Sequence, residues 1–143
     1  MEHSAAGHWE HFPHVADVGV RGFGESKQAA FEQAACALTA AIADIDRIDP
    51  KARVRIRCSA ADDEALLVEW LNALVFEMAT RGMLFRRFRV RLDGHSLEAE
   101  AYGEAVDLER HGVAAEAKGA TYTELCVRQL DDGRWLAQCV VDV

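Results

Sequence analysis

The sequence of 143 residues contains no run of about 18 apolar residues, the length a membrane-crossing helix needs. Its opening, MEHSAAGHWEH, lacks the basic start and apolar core of a secretory signal. No Pro/Ser/Gly-rich linker, internal repeat or low-complexity segment divides the chain. The four cysteines, Cys36, Cys58, Cys126 and Cys139, form no Cys-x-x-Cys pair, so a zinc site or disulfide framework is disfavoured against buried thiols in a reducing cytoplasm. The serines lack a Gly-x-Ser-x-Gly elbow, and VGVRGFGES matches neither phosphate-binding glycine pattern. Basic residues are outnumbered 16 to 24, for a formal net charge of -8. That surplus disfavours direct, tight nucleic-acid binding and suits a cation or a basic protein partner. The expectation is a soluble cytoplasmic protein, with a flexible segment over 1–7 and one domain over 8–143.

Half of the residues are apolar, enough for a real core. Residues 8–24 read as one or two strands. Ser26 then offers an N-cap to a helix carrying Phe31, Ala35, Leu38, Ile42 and Ile45 on one stripe. ARVRIRCSA alternates apolar residues with arginines, as a half-buried strand with a solvated basic face does. The segment ADDEALLVEWLNALVFEMATRG is the clearest helix, acidic at its start and closed by Arg81-Gly82. MLFRRFRVRL and SLEAEAYGEAV read as strands joined by a turn, and DLERHGVAAEAKG as an irregular loop. TYTELCVRQL and RWLAQCVVDV flank Asp131-Asp132-Gly133, a hairpin signal. A two-residue turn there would set Cys126 opposite Cys139 and Thr123 opposite Asp142. The fold class expected is α+β, two helices packed on a mixed, mostly antiparallel sheet.

His8, His11 and His14 recur every three residues, matching neither the strand period nor helical zinc spacing, which favours structural or solvated roles. Asp17 in VADVGV and Asp142 in CVVDV are more unusual. Aspartate has poor strand propensity and is costly to desolvate. Two such interruptions are tolerated if they face each other across a cation, with the α-carboxylate of Val143 as a third oxygen ligand. Oxygen-only ligands suit Ca²⁺, Mg²⁺ or Mn²⁺. Spacing alone favours the plainer reading, in which both aspartates sit at strand ends and cap turns.

HFPHVADVGVRGFG, LLVEWLNALVFEMATRGMLF, GEAVDLERHGVAAEAKGATYTEL and RWLAQCVVDV together resemble the archease family, in order from about His8 to Val143. The resemblance implies a small α+β metal-binding protein without catalytic activity of its own. It implies an RtcB-type RNA ligase as partner, activated for tRNA splicing and RNA repair through guanylylation of the ligase's active-site histidine. By the same resemblance Asp17 and Asp142 bind a divalent cation, Ca²⁺ in the family, and His14 of the His-x-Ala-Asp motif supports them. Arg110, His111, Lys118 and Tyr122 match the family and form a supporting or partner-facing surface, while Thr123 stands where the family commonly has histidine. The alternatives are a general chaperone or interaction module with purely structural aspartates, and a hydrolase using Asp17 and Asp142 as an acid/base pair.

Overall fold

The computed structural model describes residues 7–143; most of the expected flexible segment, residues 1–6, lies outside the described residues. Strands β1 (Gly7–His14) and β2 (Asp17–Gly24) form a hairpin, followed by helix α1 (Lys27–Ile42) and a 3₁₀ turn at Ile45–Arg47. Next come β3 (Ala52–Ser59), α2 (Asp63–Arg81), β4 (Met83–Asp93) and β5 (Ser96–Ala105). Short β6 (Gly119–Ala120), β7 (Cys126–Gln129) and β8 (Trp135–Asp142) complete the chain. The α+β class with two helices is therefore observed. The strands divide between two sheets, and every registered ladder is antiparallel. The larger sheet runs β1-β2-β8-β6, with β7 also on β8, and the smaller runs β3-β5-β4.

Both helices begin where a side chain caps the first turn: Ser26 Oγ accepts from the Ala29 N–H, and Asp62 Oδ1 from the Ala65 N–H. Helix α2 ends on Gly82 in the left-handed conformation. Helix α1 ends at Ile42, so Ile45 leaves the predicted stripe and enters the 3₁₀ turn. Alanine lets α1 approach the larger sheet closely. A Cβ on Gly22 would lie 2.2 Å from the Ala30 carbonyl oxygen and 2.3 Å from the Ala34 nitrogen, so only glycine fits.

On its other side α1 serves the smaller sheet. Glu32 Oε2 accepts from the Val90 N–H and Gln28 Oε1 from the Leu92 N–H, each at 2.8 Å. These bonds cover the free edge of β4, which would otherwise offer unpaired donors to another chain. The Trp70 indole of α2 donates to the Phe31 carbonyl of α1 at 3.0 Å inside the core, locking the helices together. The core is continuous from Val20 through both helices to Val141. No helix of the described residues is long and apolar enough to cross a membrane.

The expected register of the last hairpin is corrected. The loop between β7 and β8 has three residues: Gly133 N–H donates to the Leu130 carbonyl, and Leu130 N–H to the Arg134 carbonyl. Gly133 sits at φ +91°, the left-handed position that a three-residue loop with a bulge demands. Cys126 therefore pairs with Gln138, not Cys139. The four cysteines are free thiols, and burial pushes Cys36 and Cys139 up to about 12 and Cys58 to about 11, away from nucleophilic use at neutral pH.

Candidate metal centre at the end of the larger sheet

The β1–β2 turn, Val15-Ala16, sets His14 opposite Asp17. Strands β2 and β8 are registered as far as Val18 opposite Val141; one residue further, the same register brings Asp17 opposite Asp142. Beyond it, Asp142 pairs with Gly119 of β6, and the Lys118 N–H donates to the Asp142 carbonyl at 2.8 Å. His14, Asp17, Asp142 and Gly119 thus make one row across four strands. Side chains directly opposite each other share a face, with Cβ atoms about 4.5–5.5 Å apart. Two carboxylates separated by more than a hundred residues of chain become neighbours by strand pairing alone.

Asp17 is half-buried and Asp142 exposed. Among the described residues neither carboxylate takes part in an ion pair with a basic side chain. Two like charges in adjacent strands repel, and a hard cation between them reverses the sign of that interaction. Beside them the His14 Nδ1 is buried without a hydrogen-bond partner among the described residues, and an unsatisfied buried polar group costs about 1–3 kcal/mol. An imidazole nitrogen without a hydrogen-bond partner beside two carboxylates fits the bound water of a cation. Among the described residues no group of three or more His, Cys, Asp or Glu side chains is gathered as a metal cage. Asp17 and Asp142 are the two side-chain carboxylates that the row brings together. Val143 packs its side chain on the core, leaving only its main-chain oxygens to join them.

The turn itself is strained. Val15 holds φ +49° and is fully exposed. A β-branched residue in this region costs on the order of 1–3 kcal/mol and projects an apolar tip beside Asp17. Its signal in the sequence, a valine in a two-residue turn, is visible only once the register is known.

Thr123 does not face Asp142. Three extra residues separate the β6 and β7 pairings on β8, so Tyr122, Thr123 and Glu124 bulge outward and are exposed, with Glu124 at φ +55°. Thr123 instead accepts the Val140 N–H on its carbonyl oxygen. The side chain of α2 that shapes this end is Asn72, whose Oδ1 accepts from the Ala120 N–H at 2.8 Å. Asn72 pins β6 where Gly119 and Lys118 meet Asp142. Its only sequence signal is an amide inside an apolar helix.

Arg110 and His111 belong to a different network. His111 is fully buried and presents no surface. Its Nδ1 accepts from the Asp107 N–H at 3.0 Å, which fixes the tautomer, so Nε2–H donates to Glu104 Oε2 at 2.9 Å. Arg110 Nη2 lies 3.0 Å from the same oxygen, and the Asp49 N–H donates to it at 2.8 Å. The Asp49 N–H first, then His111 and Arg110, hold the Glu104 carboxyl down at about 2. This network ties the loop after β5 to the 3₁₀ turn and so fixes the path toward Lys118.

The comparisons agree with this architecture. The model of the Archease protein family (MTH1598/TM1083) matches residues 9–143. A "Protein archease" of Pyrococcus abyssi is 38% identical over 139 residues, spanning 94% of this chain and 98% of the relative. One from Methanosarcina barkeri is 34% identical over 140 residues, spanning 94% and 95%. The solution structure of Methanobacterium thermoautotrophicum protein 1598 superposes with a TM-score of 0.82 at 29% identity, covering 94% of this chain and 98% of that one. A Thermotoga maritima crystal structure described as an archease, possible chaperone, shares the fold with a TM-score of 0.62 at 18% identity, covering 92% and 94%. The chain belongs to the archease family.

Proposed function

We propose that the protein is a non-catalytic accessory protein that holds one divalent cation between Asp17 and Asp142. In this reading it activates an RtcB-type RNA ligase by promoting guanylylation of the ligase's active-site histidine, permitting repeated turnover. The observation that carries the reading is the row His14, Asp17, Asp142 at an exposed sheet end, beside the apolar Val15 tip. Ca²⁺ is the ion implied by the family; Mg²⁺ and Mn²⁺ also suit a pair of carboxylates, because Mg²⁺ is commonly held by one or two of them together with substrate phosphates. When bound, the ion supplies positive charge that offsets developing phosphate charge. Asp17 and Asp142 provide the anionic grip, main-chain oxygens of Val143 add to it, and His14 orients Asp17 or a bound water. Val15 enters the partner's surface, and Lys118 and Tyr122 flank the contact. The cytoplasm is the proposed working place, where four free thiols stay reduced.

The test is ligase guanylylation by GTP with purified components, adding the protein or its Asp17→Ala or Asp142→Ala variant. Both variants are expected to lose stimulation while keeping the unfolding midpoint. Unchanged stimulation by both would rule the reading out.

A second reading, a chaperone-like interaction module, draws on an apolar groove of about 280 Å³ between α2 and the loop after β5, lined by Met78, Val106, Leu108 and Val113. It predicts capture of many unfolded clients independent of divalent cations, which the same two variants would leave intact.

A further inference from the structure

The smaller sheet turns an unusual face to solvent. Strand β5 lies between β3 and β4, and the registers align three cross-strand rows: Arg53–Tyr102–Arg87, Arg55–Glu100–Arg89 and Arg57–Glu98–Arg91. All six arginines are exposed. Six guanidinium groups surround two carboxylates, in a protein whose net charge is -8. The total charge therefore conceals a segregated basic face.

The arginines stand in two columns, one along β3 and one along β4. Within a column they repeat about every 6.7 Å, and the columns are about 9.5 Å apart. The glutamates act as spacers. Glu98 pairs with Arg57 at 2.7 Å and with Arg91 at 3.9 Å, and Glu100 pairs with Arg53 at 3.5 Å. Among the described residues Arg55 and Arg89 form no ion pair, although they flank Glu100. A polar hollow of about 240 Å³ opens between Arg55, Arg57, Arg91, Glu98 and Glu100. Arg87 covers the Tyr102 ring, 4.6 Å from its centre, and the Tyr102 hydroxyl donates to Glu100. That ring is already occupied and stiffens the row.

We propose that the β3–β5–β4 face binds the phosphodiester backbone of an RNA strand. Guanidinium forks match phosphate oxygens bidentately, and a regular column of them fits a linear array of anions. An acidic protein partner fits less well, because stable protein interfaces bury an apolar or aromatic core, and this face offers none beyond the covered Tyr102. Contact goes to phosphates and not to base edges, so it is sequence-independent. The overall acidity keeps it modest, with Kd on the order of 10⁻⁴–10⁻⁶ M. At physiological salt the rest of the acidic surface is screened beyond about 8 Å, which leaves the local charge in control. The choice of RNA over DNA rests on the ligase reading above; the phosphate contact does not.

Fluorescence anisotropy of a labelled oligo-uridylate, titrated with the protein alone at several KCl concentrations, tests the proposal without any ligase. Affinity is expected to fall with salt at a log–log slope of about -3, and Arg55→Ala/Arg89→Ala should flatten that slope by about 1.4. Arg55→Glu/Arg89→Glu should weaken binding at least tenfold, Arg55→Lys/Arg89→Lys should retain most of it, and an oligo-adenylate should bind like the uridylate. Thermal unfolding checks that the exposed substitutions leave the fold intact. Wild-type affinity in the charge-reversed variant would overturn the proposal. So would poly-glutamate competing as well as RNA at equal charge, or salt-sensitive self-association with no RNA binding.

Discussion

The two sheets carry opposite electrostatics by the same device. At the end of the larger sheet, the β2–β8 register carried one residue past Val18–Val141 sets Asp17 beside Asp142, with no basic side chain paired to either among the described residues. On the open face of the smaller sheet, pairing sets six arginines around two glutamates. The first is a small acidic focus beside an orphaned imidazole nitrogen; the second is a broad, polar and partly self-neutralised surface. Local charge, built row by row across strands, is what a partner meets, and a net charge of -8 describes neither region.

The sharpest break of this comparison is a cross-test. Asp17→Asn/Asp142→Asn is expected to remove cation binding and ligase stimulation while leaving RNA affinity within a factor of about two. Arg55→Glu/Arg89→Glu should do the reverse, since separate sites with no shared partners act independently. Calorimetry and anisotropy on both variants decide it; a variant that disables both activities would merge the regions into one surface.

A smaller effect is expected at His14. His14→Ala should weaken cation affinity by roughly 10- to 100-fold, the usual loss when a group orienting a ligand is removed, and leave the RNA titration unmoved. Smaller again is Asn72→Ala. Losing the amide that holds Ala120 should cost about 1 kcal/mol of stability in urea unfolding and loosen β6 against Asp142, seen as faster amide exchange at Lys118 and Ala120.

The smallest effect is a pH dependence of the buried network. The Glu104 carboxyl sits at about 2, below its ordinary 4.5. The folded value is depressed, so its contribution to stability is present above about pH 4.5 and is lost as pH falls toward 2. Acid unfolding of His111→Phe should lose part of that dependence, because Glu104 then titrates closer to its ordinary value. An identical pH profile in the variant would separate His111 from the network.

How much of this was legible follows from the same contrast. Asp17 and Asp142 stand out in sequence because each interrupts valines, so the acidic pair could be nominated without coordinates. The helices were legible through the Ser26 cap, the acidic start of α2 and the Arg81-Gly82 ending. The arginine alternation of ARVRIRC was legible as a half-buried strand with a solvated basic face. What it faces was not, because β5 enters between β3 and β4 only through long-range pairing. Thr123 was misplaced for two reasons: Gly133 takes a three-residue bulged loop, which shifts the register by one residue, and three extra residues bulge outward between the β6 and β7 pairings on β8. Arg110 and His111 sit close in sequence to Lys118, yet His111 is buried on the Glu104 carboxylate and the exposed Arg110 reaches the same oxygen from the surface, and nothing local to residues 107–113 announces Glu104 as their partner.

Mn²⁺ titration of the intact protein, followed by paramagnetic resonance, tests the central claim most directly. One ion per chain is expected, and both Asp17→Asn and Asp142→Asn should lose it while unfolding at the same temperature as the parent. Undiminished Mn²⁺ binding by either variant would contradict a site shared between the two carboxylates.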